Sequence, residues 1–164
     1  MSPSPLTRAD ARKLLEESMR ALLAEVGGLG DQEARAIPVS PEWSVADSLS
    51  HVLAWAEVAT RALGDWTGDR SWLPHAALED HDAFNAAAVE ARRASPFSVL
   101  LEGLMANQQI LLAVLAQASD EQLAEEGEAP WGGAMPLLRM IAGIGHHNAD
   151  HARELAAIMA ARRS

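Results

Sequence analysis

The sequence of 164 residues contains no cysteine, no tyrosine and only two phenylalanines. Without cysteine, the protein has no disulfides, no thiolate metal sites and no cysteine nucleophile. The sequence has no run of about 18 consecutive apolar residues, and its N-terminus lacks a basic region followed by an apolar stretch. We therefore expect neither a membrane span nor a signal peptide.

Basic residues are also few, with 13 Lys and Arg against 23 Asp and Glu, which gives a net charge of -10. Because phosphate binding depends on an excess of positive charge, this balance argues against nucleic acid and against an anionic membrane surface as partners. The length fits one domain. We expect residues 1–164 to form a single domain of a soluble, cytoplasmic protein.

Helical spacing of apolar residues dominates the sequence, and no alternating strand pattern of useful length is present. Abundant alanine and leucine also favour helix over sheet. Ser44 and Asp47 form a capping-box pair at the start of the second helix, which we expect Gly68 to end. Long helices are predicted over residues 7–26, 44–67, 96–118 and 136–161, a short helix over 79–93, and a helical turn at 119–122. The fold class is therefore all-α, a four-helix bundle with a short extra helix between helices 2 and 3.

Three of the six histidines lie between residues 145 and 151. Because a helix turns about 100° per residue, His147 and His151 lie within or at the edge of the apolar sector, and His146 points the opposite way. Two imidazoles spaced i and i+4 can bind one metal ion. The alternative is a pair of core histidines satisfied by hydrogen bonds. A zincin protease is excluded, because Asn148 stands where that motif needs glutamate.

A third ligand should come from another helix. His51 is the best candidate, since it lies near the border of the apolar stripe of the second helix, one turn before Trp55. The alternative is a boundary histidine exposed to water. We interpret His75 and His81 as surface residues. Three neutral imidazoles facing one point would bind Zn²⁺, Ni²⁺ or another borderline divalent ion and leave positions open for water or substrate.

Four further residues are candidates at such a site. Trp55, Gln108 and Asn148 could line a pocket for a small-molecule substrate, although a buried amide is also explained by a structural hydrogen bond. Glu154 follows His151 by three residues and could orient that imidazole as an outer-shell carboxylate. The alternative for Glu154 is a solvated side chain.

His51 and the His147-x3-His151 pair match, one for one, the metal-binding pattern of the DinB/YfiT-like four-helix-bundle superfamily, which the chain resembles. It is most similar to the DfsB/ClbS-type branch. The features that carry this similarity are Trp43–Asp47, Trp55, Phe84–Asn85, Trp131 and Ile158. The resemblance extends from about residue 10 to residue 160.

This resemblance implies a divalent metal at one end of a pocket and often a homodimer. Some members are thiol-dependent transferases or isomerases, others hydrolyse a reactive cyclopropane, and many have no known activity. We therefore expect a metal-dependent enzyme for small reactive electrophiles, with Zn²⁺ or Ni²⁺ and, for a transferase, a low-molecular-weight thiol. The alternatives are a metal-binding stress-response protein without turnover and a metal-free bundle with structural histidines.

Overall fold

The computed structural model describes residues 5–73 and 79–164; the predicted surface residue His75 lies outside them. Within these described residues there are four long helices, with three short helices and one small hairpin between them. The elements are α1 (Arg8–Val26), α2 (Asp31–Ala36), α3 (Val45–Leu63), α4 (His81–Ala91), α5 (Phe97–Gln117), α6 (Asp120–Ala124), β1 (Glu126–Glu128), β2 (Ala134–Pro136) and α7 (Leu137–Arg163). The predicted all-α bundle with a short helix between its second and third long helices is confirmed.

The long helices bury their apolar stripes against one another, with α1 packed along α7 and α3 packed against both α5 and α7. Gly145 permits the close approach of α7 to α1, because a Cβ at this position would lie 2.7 Å from the Leu14 Cγ atom. The largest fully buried side chains come from all four long helices and include Leu15, Leu22, Leu49, Leu104, Leu111 and Ile141. This arrangement brings the middle of α7 alongside α3.

The predicted start of α3 is confirmed, because the Ser44 hydroxyl accepts from the Asp47 amide and the Asp47 carboxylate accepts from the Ser44 amide. The predicted end is wrong: α3 stops at Leu63, with Gly64 as its C-cap, rather than continuing to Gly68. The buried Arg70 explains this early end. Its guanidinium donates to carbonyl groups of the segment that follows α3, and these carbonyls must therefore leave the helical direction.

Sequence reasoning missed α2 and the antiparallel hairpin of β1 and β2. Strands of three residues are too short for an alternating pattern to be visible. Gly132 and Gly133 have φ angles of 93° and 90°. This left-handed conformation suits glycine and explains the glycine pair between the two strands.

Helix α5 is long and apolar enough to cross a membrane by length and composition alone. One such helix is weak evidence, because the core helix of a helical bundle meets the same criteria. Its buried face includes Phe97, Leu100 and Leu104, which belong to the core shared with α3. The helix therefore packs one apolar face into the bundle, while Val99, Met105 and Ile110 on other faces are exposed.

Candidate metal centre and pocket

The three histidines from two distant parts of the sequence meet between α3 and α7. Each of His51, His147 and His151 offers a ring nitrogen, and these atoms lie within 4.8 Å of one another. The Nε2 atoms of His51 and His147 are 3.0 Å apart. His51 is buried, and His147 and His151 are partly buried, whereas His146 is exposed. The helical phase assigned to these residues therefore agrees with the structure.

Asn85 on α4 fixes the orientation of the His51 ring. Its Oδ1 atom lies 3.0 Å from His51 Nδ1 and accepts a hydrogen bond of 2.9 Å from Trp55 Nε1. Because an indole N–H can only donate, the amide atom facing Trp55 must be the oxygen. The Nδ1 atom of His51 must then carry a proton. The lone pair of His51 is left on Nε2, which faces His147.

A similar contact orients the second imidazole of the α7 pair. His151 Nδ1 lies 3.2 Å from the Glu154 carboxylate, as expected of an outer-shell carboxylate that leaves Nε2 free to coordinate. The Nδ1 atom of His147 is buried and has no hydrogen-bond partner among the described residues. A metal-free hydrogen bond between the Nε2 atoms of His51 and His147 would also leave this Nδ1 atom without a partner. Two oriented imidazoles and a third within reach therefore fit a borderline divalent ion.

The electrostatic environment keeps two of these rings neutral. Burial, followed by the nearby His151, lowers the pKa of His51 to about 4, although the Asn85 hydrogen bond acts in the opposite direction. Burial is also the main reason that the pKa of His147 falls to about 3, with smaller contributions from His151 and His51. Both rings are therefore unprotonated at neutral pH, which is the state that donates a lone pair to a metal.

These shifts predict how the stability of metal-free protein changes with pH. Histidines with folded-state pKa values below 6.5 bind protons more readily in the unfolded chain. Stability is therefore present above about pH 6.5 and falls as pH decreases towards about 4. We expect the melting temperature of chelator-treated protein to fall over this range, and to fall less steeply in His147→Gln. A melting temperature independent of pH between about 7 and 5 would contradict the proposed burial of these rings.

A cavity of about 450 Å³ opens beside the histidines. Its apolar walls include Trp55, Trp131 and Ile144. Gly143 allows Trp131 to lie against α7, because a Cβ at this position would come within 2.9 Å of the Trp131 ring. Polar groups complete the lining: His51, His81, Asn85, His146, His147 and Asp150. The histidine cluster is therefore reachable by a small molecule.

The structure brings some of the sequence-predicted site residues together and separates others. Trp55 lines the cavity, and Glu154 contacts His151. Gln108 instead donates to the Leu15 carbonyl on α1 and does not line the cavity. Asn148 is also absent from the cavity lining, and it is almost fully buried. Gln108 thus makes the structural hydrogen bond that was its alternative, whereas the buried Oδ1 atom of Asn148 has no hydrogen-bond partner among the described residues.

The cavity lining also includes residues that sequence reasoning did not place among the site candidates, such as His81, Asn85 and Trp131. His81, interpreted as a surface residue, is exposed but also lines the cavity, with its ring 5.4 Å from that of Trp55. Asn85 and Trp131 were noted as features of the family resemblance. The sequence spacing of residues on α4, on the hairpin and on α3 does not indicate which of them lie close together. The resemblance was therefore the available signal for Asn85 and Trp131, and His81 had none.

The chain belongs to the DinB superfamily, whose family model matches residues 14–155. A search of the curated proteins gives no significant match. Among solved structures, an uncharacterised protein from Escherichia coli UTI89 has a TM-score of 0.79 at 14% identity, over 97% of this chain and 96% of that one. At such identities the likeness establishes the fold alone.

Two further solved structures share this fold. The colibactin self-resistance protein ClbS, crystallised with double-stranded DNA, has a TM-score of 0.74 at 17% identity, over 94% of this chain and 96% of that one. A mycothiol-dependent maleylpyruvate isomerase has a TM-score of 0.70 at 11% identity, over 92% of this chain and 61% of the isomerase. The family model confirms the predicted superfamily, and the assignment to the ClbS-like branch stays a prediction.

The complex of ClbS with DNA corrects one expectation. Net charge had been used to exclude nucleic acid as a partner, and this exclusion is wrong. A protein of the same fold has been crystallised with double-stranded DNA. The total charge averages over the whole surface, whereas DNA contacts depend on the local arrangement of basic groups.

Proposed function

We propose that this protein is a metal-dependent enzyme that acts on a small electrophile bound in the cavity beside the histidines. One observation carries the proposal: His51, His147 and His151 converge beside a cavity that a small molecule can enter, and His51 and His147 line that cavity. Three protein ligands with an accessible side are typical of catalytic rather than structural metal sites. The native ion is Zn²⁺ or Ni²⁺, which imidazole ligands suit.

In this proposal the side chains at the site have different roles. The three histidines hold the ion, while Asn85 and Glu154 keep two of the rings in the tautomer that presents Nε2. When bound, the ion would lower the pKa of a water molecule or polarise the electrophile. Trp55 and Trp131 provide apolar walls that exclude bulk water from one side of the ligand. This arrangement supports addition of water or of a thiol to a strained or polarised carbon.

The descriptions of two proteins with the same fold support these reaction types. The isomerase among the structural neighbours is mycothiol-dependent, which supports a low-molecular-weight thiol as co-substrate. ClbS is a self-resistance protein, which supports a role in removing a reactive molecule. We favour turnover over a purely metal-binding stress-response role because the cavity reaches the histidines directly.

The test compares turnover of strained electrophiles, such as epoxides and activated cyclopropanes, with and without added thiol. The protein is purified without a His-tag and is either metal-loaded or chelator-treated. We expect turnover only in the loaded form, and its loss in His147→Ala. Glu102→Gln, an exposed change on α5 outside the cavity, should behave as wild type. A stoichiometrically loaded protein that turns over none of these compounds would favour the non-catalytic alternative.

A further inference from the structure

Asn85 has an amide group of which only the oxygen end has hydrogen-bond partners among the described residues. Its Oδ1 atom is occupied by Trp55 Nε1 and His51 Nδ1, at 2.9 and 3.0 Å. These two donors fix which end of the amide is oxygen, so the position of Nδ2 is fixed as well. Nδ2 makes no hydrogen bond to any other described residue, and Asn85 lines the cavity. The side chain therefore has two N–H donors available beside the histidine cluster.

The remaining lining limits what can accept those hydrogen bonds. No Arg or Lys is among the described residues that line the cavity. Asp150, which also lines the cavity, is paired with Arg153. In the metal-free protein a carboxylate or phosphate would thus lose its hydration beside the Asp150 carboxylate and without an arginine or lysine partner. An uncharged oxygen acceptor, such as a ketone, aldehyde or amide carbonyl, loses much less.

The apolar walls indicate the shape of the rest of the ligand. Trp131 is partly buried and lies in an edge-to-face arrangement with Trp55, at a centroid distance of 6.5 Å. This spacing leaves no room for a ring between the two indoles. The accessible surface of Trp131 can instead support a flat apolar group, because aromatic surfaces favour stacked contacts.

We propose that Asn85 is a substrate-recognition residue whose Nδ2 donates a hydrogen bond to the carbonyl oxygen of an uncharged, flat ligand resting on Trp131. The proposal names the substrate class of the site and in that sense rests on the proposed function. The hydrogen bond places the carbonyl beside the histidines. There it orients the electrophilic carbon, and the donor strengthens its polarisation.

The experiment distinguishes the role of the Asn85 amide oxygen from the role of its N–H donors. Asn85→Asp keeps an oxygen for His51 and Trp55 but removes the donor, whereas Asn85→Ala removes both. Asn107→Asp makes the same change on α5, outside the cavity. The probes are acetophenone and α-methylstyrene, which differ by an oxygen in place of a methylene group. Their dissociation constants are measured by ligand-detected NMR on chelator-treated protein, so that no metal competes for the carbonyl.

Wild type and Asn107→Asp should bind acetophenone roughly three- to tenfold more tightly than α-methylstyrene, the effect of one net hydrogen bond. In Asn85→Asp this preference should disappear, while the affinity for α-methylstyrene stays unchanged. The side-chain amide signals of Asn85 in wild type should also shift with acetophenone only, a readout that does not depend on any variant folding. Equal affinities in wild type, or a preference that survives in Asn85→Asp, would overturn the proposal.

Metal content of the same variants distinguishes this proposal from the proposed function. Asn85→Asp retains an acceptor for His51 Nδ1, so we expect it to keep its metal. Asn85→Ala should bind metal about 10- to 100-fold more weakly, which is the usual effect of losing an outer-shell partner. Absence of metal binding in wild type would refute the proposed function while leaving the carbonyl preference of the chelator-treated protein intact.

Discussion

Replacing His147 by alanine is expected to weaken the binding of Zn²⁺ or Ni²⁺ by roughly 100-fold or more, since even the loss of an outer-shell partner weakens binding 10- to 100-fold. His51→Ala and His151→Ala should have effects of similar size. Each substitution leaves two imidazoles, which do not complete the coordination of a borderline ion. The melting temperature gained on adding metal should disappear in parallel, because a ligand bound only to the folded state stabilises it.

Metal stoichiometry and calorimetric titration of untagged protein measure this effect. His146→Ala is the matched control, because His146 is the sequence neighbour of His147 but is exposed and outside the cluster. It should retain its metal, and His81→Ala should as well. Equal losses in His146→Ala and His147→Ala would show that the helical phase of the site is wrong. Full retention in His51→Ala would remove α3 from the site.

Arg70→Met is expected to lower the free energy of unfolding by about 3 kcal/mol, because it removes hydrogen bonds from a charged donor, which contribute about 1.5 to 3 kcal/mol, and leaves buried carbonyls unpaired. Arg70 is only 5% exposed, and its guanidinium donates to main-chain carbonyls rather than to a carboxylate. The acceptors are the carbonyls of Asp65, Trp66, Gly68, Asp69 and Glu128. Methionine has similar length but no donor, so these carbonyls lose their partner.

Urea unfolding measures the effect, with Arg61→Met as the matched control. Arg61 is exposed and lies over the Trp72 ring, 4.3 Å from its centroid. Such a contact contributes about 0.5 to 1 kcal/mol at an exposed site. Similar losses in the two variants would show that the carbonyl cluster around Arg70 contributes little. Because Arg70 also joins the segment after α3 to β1, its loss should disturb the nearby Trp131.

The helices were predictable because the periods of apolar residues and the caps are local signals. Ser44 and Asp47 lie three residues apart, and their reciprocal hydrogen bonds stabilise a helix that begins at this point of the sequence. The same local geometry gave the inward phase of His147 and His151. We inferred that His51 meets this pair because it lies near the border of the apolar stripe of its helix and because it matches the family's metal-binding pattern. The homodimer and the cytoplasmic location stay predictions.

Contacts between segments distant in sequence were not predictable. The end of α3 depends on Arg70 and on the hairpin carbonyl of Glu128, which is 58 residues away. The start of α5 has no side-chain cap of its own, and the Phe97 amide donates instead to Asp31, 66 residues earlier. Such contacts leave no periodic trace in the sequence, because neither partner needs a particular neighbour.

The sequence by itself determined the helical class, the phase of the histidine pair and the candidates for a three-histidine centre, because these follow from the helical repeat and from the chemistry of imidazole. Only the tertiary structure decided which polar groups surround that centre. It placed Asn85 and Trp131 at the cavity and directed Gln108 to the Leu15 carbonyl. The physical reason is that the helical repeat determines on which side of its own helix a side chain lies. A contact depends in addition on how two elements are placed relative to each other.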